Sequence, residues 1–451
     1  MMREAAGHLL PQPPRLALEG RRLLVLGLGD TGLSVARYAE RRGALVRVAD
    51  TRNAPPRREA LAGDVHLGPF TAALLANVDL VCISPGLALT EPLVGEALAR
   101  GIAVVGDIEL FAWENHAPVL AVTGTNGKST VTALTGHLLG SAGMDCEVAG
   151  NISPPVLDAL LARPTAPQAW VLELSSYQLE TTWTLNAAAA TLLNLSEDHL
   201  DRYAGLADYG AAKARIFQGS GIQVLNRNDH ASAAMALAGR RVVTFGLDAP
   251  PTADDFGVRD GALMEGSDRL VEASALALHG AHNVANALAA CALARAAGVP
   301  REALPAALCS FRGLPHRVEL IARRNDVDWY DDSKGTNVGA TSAALRGLGK
   351  RAVLILGGEG KGQDFAPLRE PVAQFASRVL FIGRDAPLIA AALAGLPGER
   401  CATLEQAVER AAQLARPGEA VLLSPACASF DMFRDYQERG ERFAAAVRAL
   451  P

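Results

Sequence analysis

The chain has 451 residues, 49% of them hydrophobic and 20% charged, with a formal net charge of −5. At roughly 150 residues per domain that is room for about three domains, which excludes one small module, and the apolar content excludes a disordered chain. The negative balance excludes a global basic field for nucleic acid, and no run reaches the ~18 consecutive apolar residues that would cross a membrane.

Residues 1–20 hold several prolines with Glu4 and Glu19 but no long apolar core of a secretion signal. Six scattered cysteines without a C-x-x-C pair fit reduced thiols better than disulfides or a zinc site, so the expected compartment is the cytoplasm. Residues 22–28 form an apolar β run, followed by Gly27-x-Gly29-x-x-Gly32, a helical stretch at 33–42 and a second strand at 44–49 that ends in Asp50. Further strand runs at 80–84 and 102–105 bracket a helical segment at 93–100, completing a first α/β unit. By motif alone the glycines and Asp50 read as a nicotinamide-dinucleotide site, but nothing downstream resembles a hydride-transfer site. A second nucleotide is the sharper expectation, and a tight turn packed on a helix is the plain one.

A new βαβ begins at 119–123. It continues through Gly124-Thr125-Asn126-Gly127-Lys128-Ser129-Thr130 into a helix that runs to about residue 142. Strand, glycines and helix N-terminus together predict a phosphate cradle, with Lys128 on the outer phosphates and the Ser129 hydroxyl on Mg²⁺. Val122 stands where the strict P-loop pattern wants glycine, so the loop is a variant. Strand runs at 170–174 and 189–193 end in Glu173 with Ser175-Ser176 and in Asn194 with Glu197-Asp198-His199, at the sheet edge where open α/β sheets bind ligands. Glu173 is the natural second Mg²⁺ ligand. His199 is either a metal ligand or a hydrogen-bonded structural residue. Residues 246–266 read as irregular or a β excursion, followed by a helix at 283–297.

Strands at 328–330, 352–356, 379–382 and 420–423 alternate with helices in a third α/β unit. The loops Asp332-Ser333-Lys334-Gly335-Thr336-Asn337, Gly357-Gly358-Glu359-Gly360-Lys361 and Ser424-Pro425-Ala426-Cys427-Ala428-Ser429 follow its strands and could form small anion pockets for a carboxylate substrate, although turn chemistry uses the same residues. The lysine count favours function. Of 43 basic residues only Lys128, Lys213, Lys334, Lys350 and Lys361 are lysine, and three of them, Lys128 after the glycine loop of the second unit and Lys334 and Lys361 in these loops, follow strand ends. Lys350 does not, and is assigned to the surface.

The strings GTNGKST (124–130), LELSSYQLE (172–180), LNLSEDHLDRY (193–203), GLPHRVE (313–319), DSKGTN (332–337) and SPACASFDMF (424–433) occur in order. On them the chain resembles the Mur ligases of peptidoglycan synthesis, and within that family the members that join D-glutamate to UDP-N-acetylmuramoyl-L-alanine. The resemblance implies three consecutive α/β domains: a UDP-binding Rossmann-like domain (1–106), a central P-loop-type ATPase domain (107–313) and a C-terminal dinucleotide-fold domain (314–451). It implies ATP as co-substrate, two Mg²⁺ sites, an acyl-phosphate intermediate and a monomer with no nucleic-acid or membrane partner.

Residue by residue, the resemblance reassigns Gly29, Asp30, Thr31, Asp50, Thr51 and Arg52 to the uridine end, Ser84 and Gly86 to the diphosphate and Asn151 to the sugar-peptide. Arg317, Asp332 and Lys334 join 124–130 at ATP. Thr336, Lys361, Ser429, Phe430 and Tyr436 would define the D-glutamate pocket. Lys213 would carry a CO₂-derived carbamate, serving one Mg²⁺ with His199, while Ser129 and Glu173 hold the other; Lys128, His199 and Lys213 form the catalytic set. The chain departs from the family pattern at Glu359 for aspartate, Phe430 for leucine and Tyr436 for phenylalanine. The family's rivals fit less well. Folylpolyglutamate synthases carry the phosphate loop near the N-terminus, whereas 123 residues precede it here, and the D-N-P-x-R string of siblings that add diamino acids is absent.

Overall fold

A computed structural model describes residues 10–199, 202–278 and 280–450. Residues 1–9 of the leading segment, and Leu200 and Asp201 of the LNLSEDHLDRY string, lie outside the described residues. The chain forms three α/β domains in series, each built on its own sheet. Among the described residues no helix is long and apolar enough to cross a membrane, and all six cysteines are free.

The first sheet has five parallel strands in the order Asp64–Leu67, Leu45–Asp50, Arg22–Leu26, Leu80–Ile83 and Ala103–Val105. Leu23, Leu24, Val25 and Leu26 are almost fully buried, the near-continuous apolar run required when helices cover both faces of a parallel sheet. The helix Asp30–Arg41 begins at the glycine turn, earlier than its apolar periodicity indicates, so Asp30 and Thr31 lie in its first turn. Gly32 is required there, because a Cβ would lie 1.8 Å from the Gly27 carbonyl oxygen.

The helix Asp107–Glu114 joins this domain to the next. Its buried Glu109 accepts hydrogen bonds from the amides of Trp183 and Thr184 and from the Thr184 hydroxyl and Trp113 indole, at 2.7–2.9 Å. On the same helix, Glu114 accepts from Arg42 and Tyr38 of the first domain. Neither contact repeats along the chain, so neither leaves a periodic trace.

The middle sheet places the phosphate-loop strand Val119–Thr123 between Ala169–Glu173 and Ala189–Leu192, so loops after all three strands open on one edge. The segment expected to be irregular forms an antiparallel extension through Phe256–Arg259, Ala262–Glu265 and Asp268–Glu272. The third sheet has six strands, in which Val327–Asp331, Ala420–Leu423 and Ala352–Gly357 are parallel neighbours, and an antiparallel strand Glu319–Arg324 edges it. Lys350 is only a third exposed and donates to Asp328 Oδ2 at 2.6 Å, tied to a buried carboxylate of that sheet rather than free in solvent.

Candidate active site

The phosphate loop spans residues 124–127, between strand Val119–Thr123 and helix Lys128–Ser141. Gly127 has φ +86°, and a Cβ there would lie 2.5 Å from Asn286 Oδ1. Asn194, after the neighbouring strand, fixes the loop from outside: its side-chain oxygen accepts from Asn126 N at 2.8 Å and its carbonyl from Thr125 N at 2.9 Å. Lys128 folds over the loop and donates from Nζ to the Gly124 and Thr125 carbonyls at 2.9 Å. Burial pushes its pKa down, and Glu173 and Asp198 offset part of that.

Glu173 is almost fully buried at the end of strand Ala169–Glu173. Its Oε1 accepts from Asn151 Nδ2 at 2.8 Å, while Oε2 is buried without a hydrogen-bond partner. Burial, the largest influence, pushes this carboxyl up, but Lys128, the Ser129 hydroxyl, Arg317 and Asn151 together hold it below its ordinary value. An ionised buried carboxylate with one free oxygen, beside a serine hydroxyl and a phosphate loop, is the oxygen donor set that suits a hard divalent cation such as Mg²⁺.

Lys213 is also fully buried, on helix Leu206–Ala214. Its Nζ lies 4.5 Å from the centre of the Tyr209 ring, and its hydrogen bond to Thr123 Oγ1 is long, 3.5 Å. Burial and then Lys128 drive its pKa well below that of a free lysine. His199 has φ +56° and its Nδ1 lies 2.7 Å from the Tyr177 hydroxyl. Its pKa is lowered by burial first and then by Lys361, Lys128 and Lys213, against Asp198. The structure thus puts Glu173 in the field of Lys128 and Lys213, and both lysines also act on His199. The carboxylate–imidazole cluster found among the described residues is elsewhere, at His316, Glu319 and Asp331, and its members already hydrogen-bond one another.

The third domain meets this site directly. Arg317 donates to Ser129 Oγ at 2.6 Å, and Asn337 Nδ2 donates to Asn126 Oδ1 at 3.1 Å and Asp198 Oδ2 at 3.2 Å. Lys334 Nζ sits 3.7 Å from the centre of the Tyr436 ring, and burial, with Arg317, pulls its pKa to about 8. Burial raises Asp332 to about 7 despite a hydrogen bond from Ser424. Arg317, Asp332 and Lys334 line a cavity of about 370 Å³ with Asn126, Gly127 and Thr130.

A second cavity, of about 920 Å³, lies between the first two domains. Gly29, Asp30, Thr31, Asp50, Thr51, Arg52, Ser84, Gly86 and Asn151 all line it. Burial acts to raise Asp50, but bonds from Arg52 and the Leu28 amide hold it at about 2, so it is a fixed anion facing that space. Thr336, Lys361, Ser429, Phe430 and Tyr436 line neither cavity. Ser429 is buried, whereas Phe430 is 65% exposed. Lys361 is exposed but acts on His199.

Residue-type reasoning missed two groups. Asn283 and Asn286, at the start of helix Ala281–Ala296, are buried and line the smaller cavity; the signal was the polar G-x-H-N-x-x-N string opening an otherwise apolar helix. Arg439, 1% exposed, donates to Ser333 Oγ and to the Ser333 and Cys427 carbonyls, locking two of the third domain's loops together; inside an amphipathic helix nothing marks it.

Family models for the Mur ligase MurD-like N-terminal domain, the Mur ligase middle domain and the Mur ligase glutamate ligase domain match residues 21–106, 122–294 and 316–427. The chain belongs to the Mur ligase family. Among curated relatives, it is similar to the UDP-N-acetylmuramoylalanine–D-glutamate ligases of Nitrosospira multiformis, 56% identical over 96% of both chains, and of Thiobacillus denitrificans, 55% identical over 96% of this chain and 98% of that one. Its fold matches the UDP-N-acetylmuramate–alanine ligase structure from Thermotoga maritima with TM-score 0.64 and 19% identity, covering 95% of this chain and 99% of that one.

Proposed function

We propose that the chain is an ATP-dependent ligase that adds D-glutamate to UDP-N-acetylmuramoyl-L-alanine, a step of peptidoglycan precursor synthesis. Its relatives at half identity or more over nearly the full length support the substrate pair. The single observation that carries the mechanism is the position of Glu173. It is hydrogen-bonded to Asn151 of the 920 Å³ cavity on one side and sits in the field of Lys128 of the phosphate loop on the other. A carboxylate held in that cavity and a terminal phosphate held on the loop would meet there.

Both reactants are anions, so the chain must supply positive charge to bring them together. Lys128 and the N-terminal amides of helix Lys128–Ser141 serve the phosphates, and Arg317 and Lys334 add charge from the third domain. Ser129 and Glu173 would hold Mg²⁺, which when bound neutralises phosphate charge; a second Mg²⁺ would take His199 and a carbamate on Lys213. The substrate carboxylate oxygen attacks the γ-phosphorus, ADP leaves, and an acyl phosphate results. The neutral amine of D-glutamate then attacks the acyl carbon, and the tetrahedral intermediate expels phosphate, leaving an amide. Thr336, Lys361, Ser429, Phe430 and Tyr436 are the proposed D-glutamate contacts.

Lys213 is proposed to be carbamylated. Burial and the neighbouring Lys128 push the pKa of this amine well below that of free lysine, which favours the neutral form; a neutral amine attacks CO₂, giving N–CO₂⁻ and one released proton. The result would turn a buried amine beside Lys128 into an oxygen ligand.

The test is phosphate release with ATP, Mg²⁺ and UDP-N-acetylmuramoyl-L-alanine across D-glutamate, L-alanine, L-lysine and diaminopimelate. Release that depends on D-glutamate is expected, and release indifferent to the amino acid overturns the reading. With ¹⁸O in the substrate carboxylate, one label should appear in the released phosphate.

A further inference from the structure

Tyr177 follows Glu173 by four residues, in the short helix Ser176–Glu180. Its hydroxyl lies 2.7 Å from His199 Nδ1, and the two rings are 4.9 Å apart at 60°. The guanidinium of Arg202 covers the Tyr177 ring at 4.0 Å from its centre, and Tyr203 stacks on that ring at 6.0 Å and 24°. Arg202 in turn donates to Glu180 Oε2 at 2.5 Å and to the Pro85 carbonyl at 2.9 Å. Pro85 sits between Ser84 and Gly86, in the loop lining the large cavity between the first two domains. One short relay of contacts therefore runs from that loop, through Arg202 and Tyr177, to the imidazole of His199.

An imidazole can ligate a cation only through a nitrogen that carries a lone pair, and in the neutral ring the other nitrogen then carries the proton and needs an acceptor. With Nδ1 against the Tyr177 oxygen, Nε2 is the nitrogen turned toward a ligand, on the side where Asp198 Oδ2 lies 3.9 Å away. If instead the hydroxyl donates to Nδ1, the proton sits on Nε2 and the ring cannot ligate there. The hydroxyl thus selects between a competent and an incompetent imidazole. The stacked guanidinium holds the Tyr177 ring, and with it the position of the hydroxyl oxygen, because Arg202 is itself held at two further points.

We propose that Tyr177 is a positioning residue whose hydroxyl oxygen accepts Nδ1–H of His199 and so presents the Nε2 lone pair to a divalent cation, with Arg202 bracing the tyrosine against the Pro85 loop. The inference rests on His199 being a cation ligand, as in the proposed function.

The test uses the full chain with ¹⁵N-labelled histidine, free of metal, and long-range ¹H–¹⁵N spectra to read the His199 tautomer. Mn²⁺ titration followed by EPR, in the presence of ADP, reads cation binding independently of turnover. Wild type should show His199 protonated at Nδ1. Tyr177→Phe, which removes one oxygen and keeps the ring, should move the proton toward Nε2 and weaken one Mn²⁺ site by about 10-fold or more, the size expected for losing an outer-shell partner. His199→Ala should abolish that site. A wild-type His199 protonated at Nε2 overturns the inference without any variant. If His199→Ala removes the site while Tyr177→Phe matches wild type in tautomer and affinity, the inference fails and the ligand reading stands. If His199→Ala leaves Mn²⁺ binding intact, the ligand reading fails and the inference falls with it.

Discussion

Arg317, at the entrance to the third domain, donates at 2.6 Å to the hydroxyl of Ser129, in the first turn of the helix that follows the phosphate loop. This bond joins residues 188 positions apart, and it puts the arginine in the field of Glu173 and Lys334. Arg317→Ala should lose a charge-assisted bond of about 1.5–3 kcal/mol, or roughly 10- to 100-fold in kcat/KM for ATP. Arg317→Lys should recover only part, because a point charge cannot reproduce the guanidinium fork. Steady-state kinetics with varied ATP checks both, and full activity in the alanine variant removes the arginine from the nucleotide site.

Lys213→Ala should reduce turnover by at least about a hundredfold, comparable to removing a strong electrostatic contributor in an active site. If the working group is a carbamate, added formate or acetate should restore part of the rate, since a small carboxylate can occupy the vacated volume. Enzyme equilibrated with ¹³CO₂ should show a carbamate carbon resonance that the variant lacks.

Lys334 gives a pH dependence. Burial brings its pKa to about 8, and a bound phosphate would raise it, because the anion favours the charged form. The protonated form binds, so the Lys334 contribution to ATP affinity should be constant below about pH 8 and fall above it. The loss is at most tenfold per pH unit for one proton and ends at the pKa of the bound state. Lys334→Arg, charged throughout, should flatten that limb in calorimetric titrations from pH 6.5 to 9.5; an unchanged limb assigns it to another group.

Gly127→Ala tests the cradle. The φ of +86° costs a side chain about 1–2 kcal/mol, and the new Cβ would collide with Asn286 Oδ1. The thermal midpoint should drop by several degrees, and nucleotide affinity should fall more than tenfold. Combining it with Asn286→Ala should return part of the stability, because that removes the colliding atom; additive losses would show that the collision is not what matters.

The three-unit α/β order and the phosphate loop were legible from residues 119–130 and the other strand–loop–helix junctions. A buried parallel strand, a glycine turn and a helix start are all written within a dozen neighbouring residues. The scarcity of lysine likewise singles out Lys128 and Lys334 in the sequence. What the tertiary structure alone decided are the meetings across the chain: Arg317 on Ser129, Asn286 behind Gly127, Glu109 beneath Thr184, and the Tyr177 hydroxyl on His199. Local pattern reports which face of an element is apolar, and that suffices to order the sheets. The partner of a polar side chain is fixed only when separate elements pack and leave one donor beside one acceptor, and no periodicity in the chain records it.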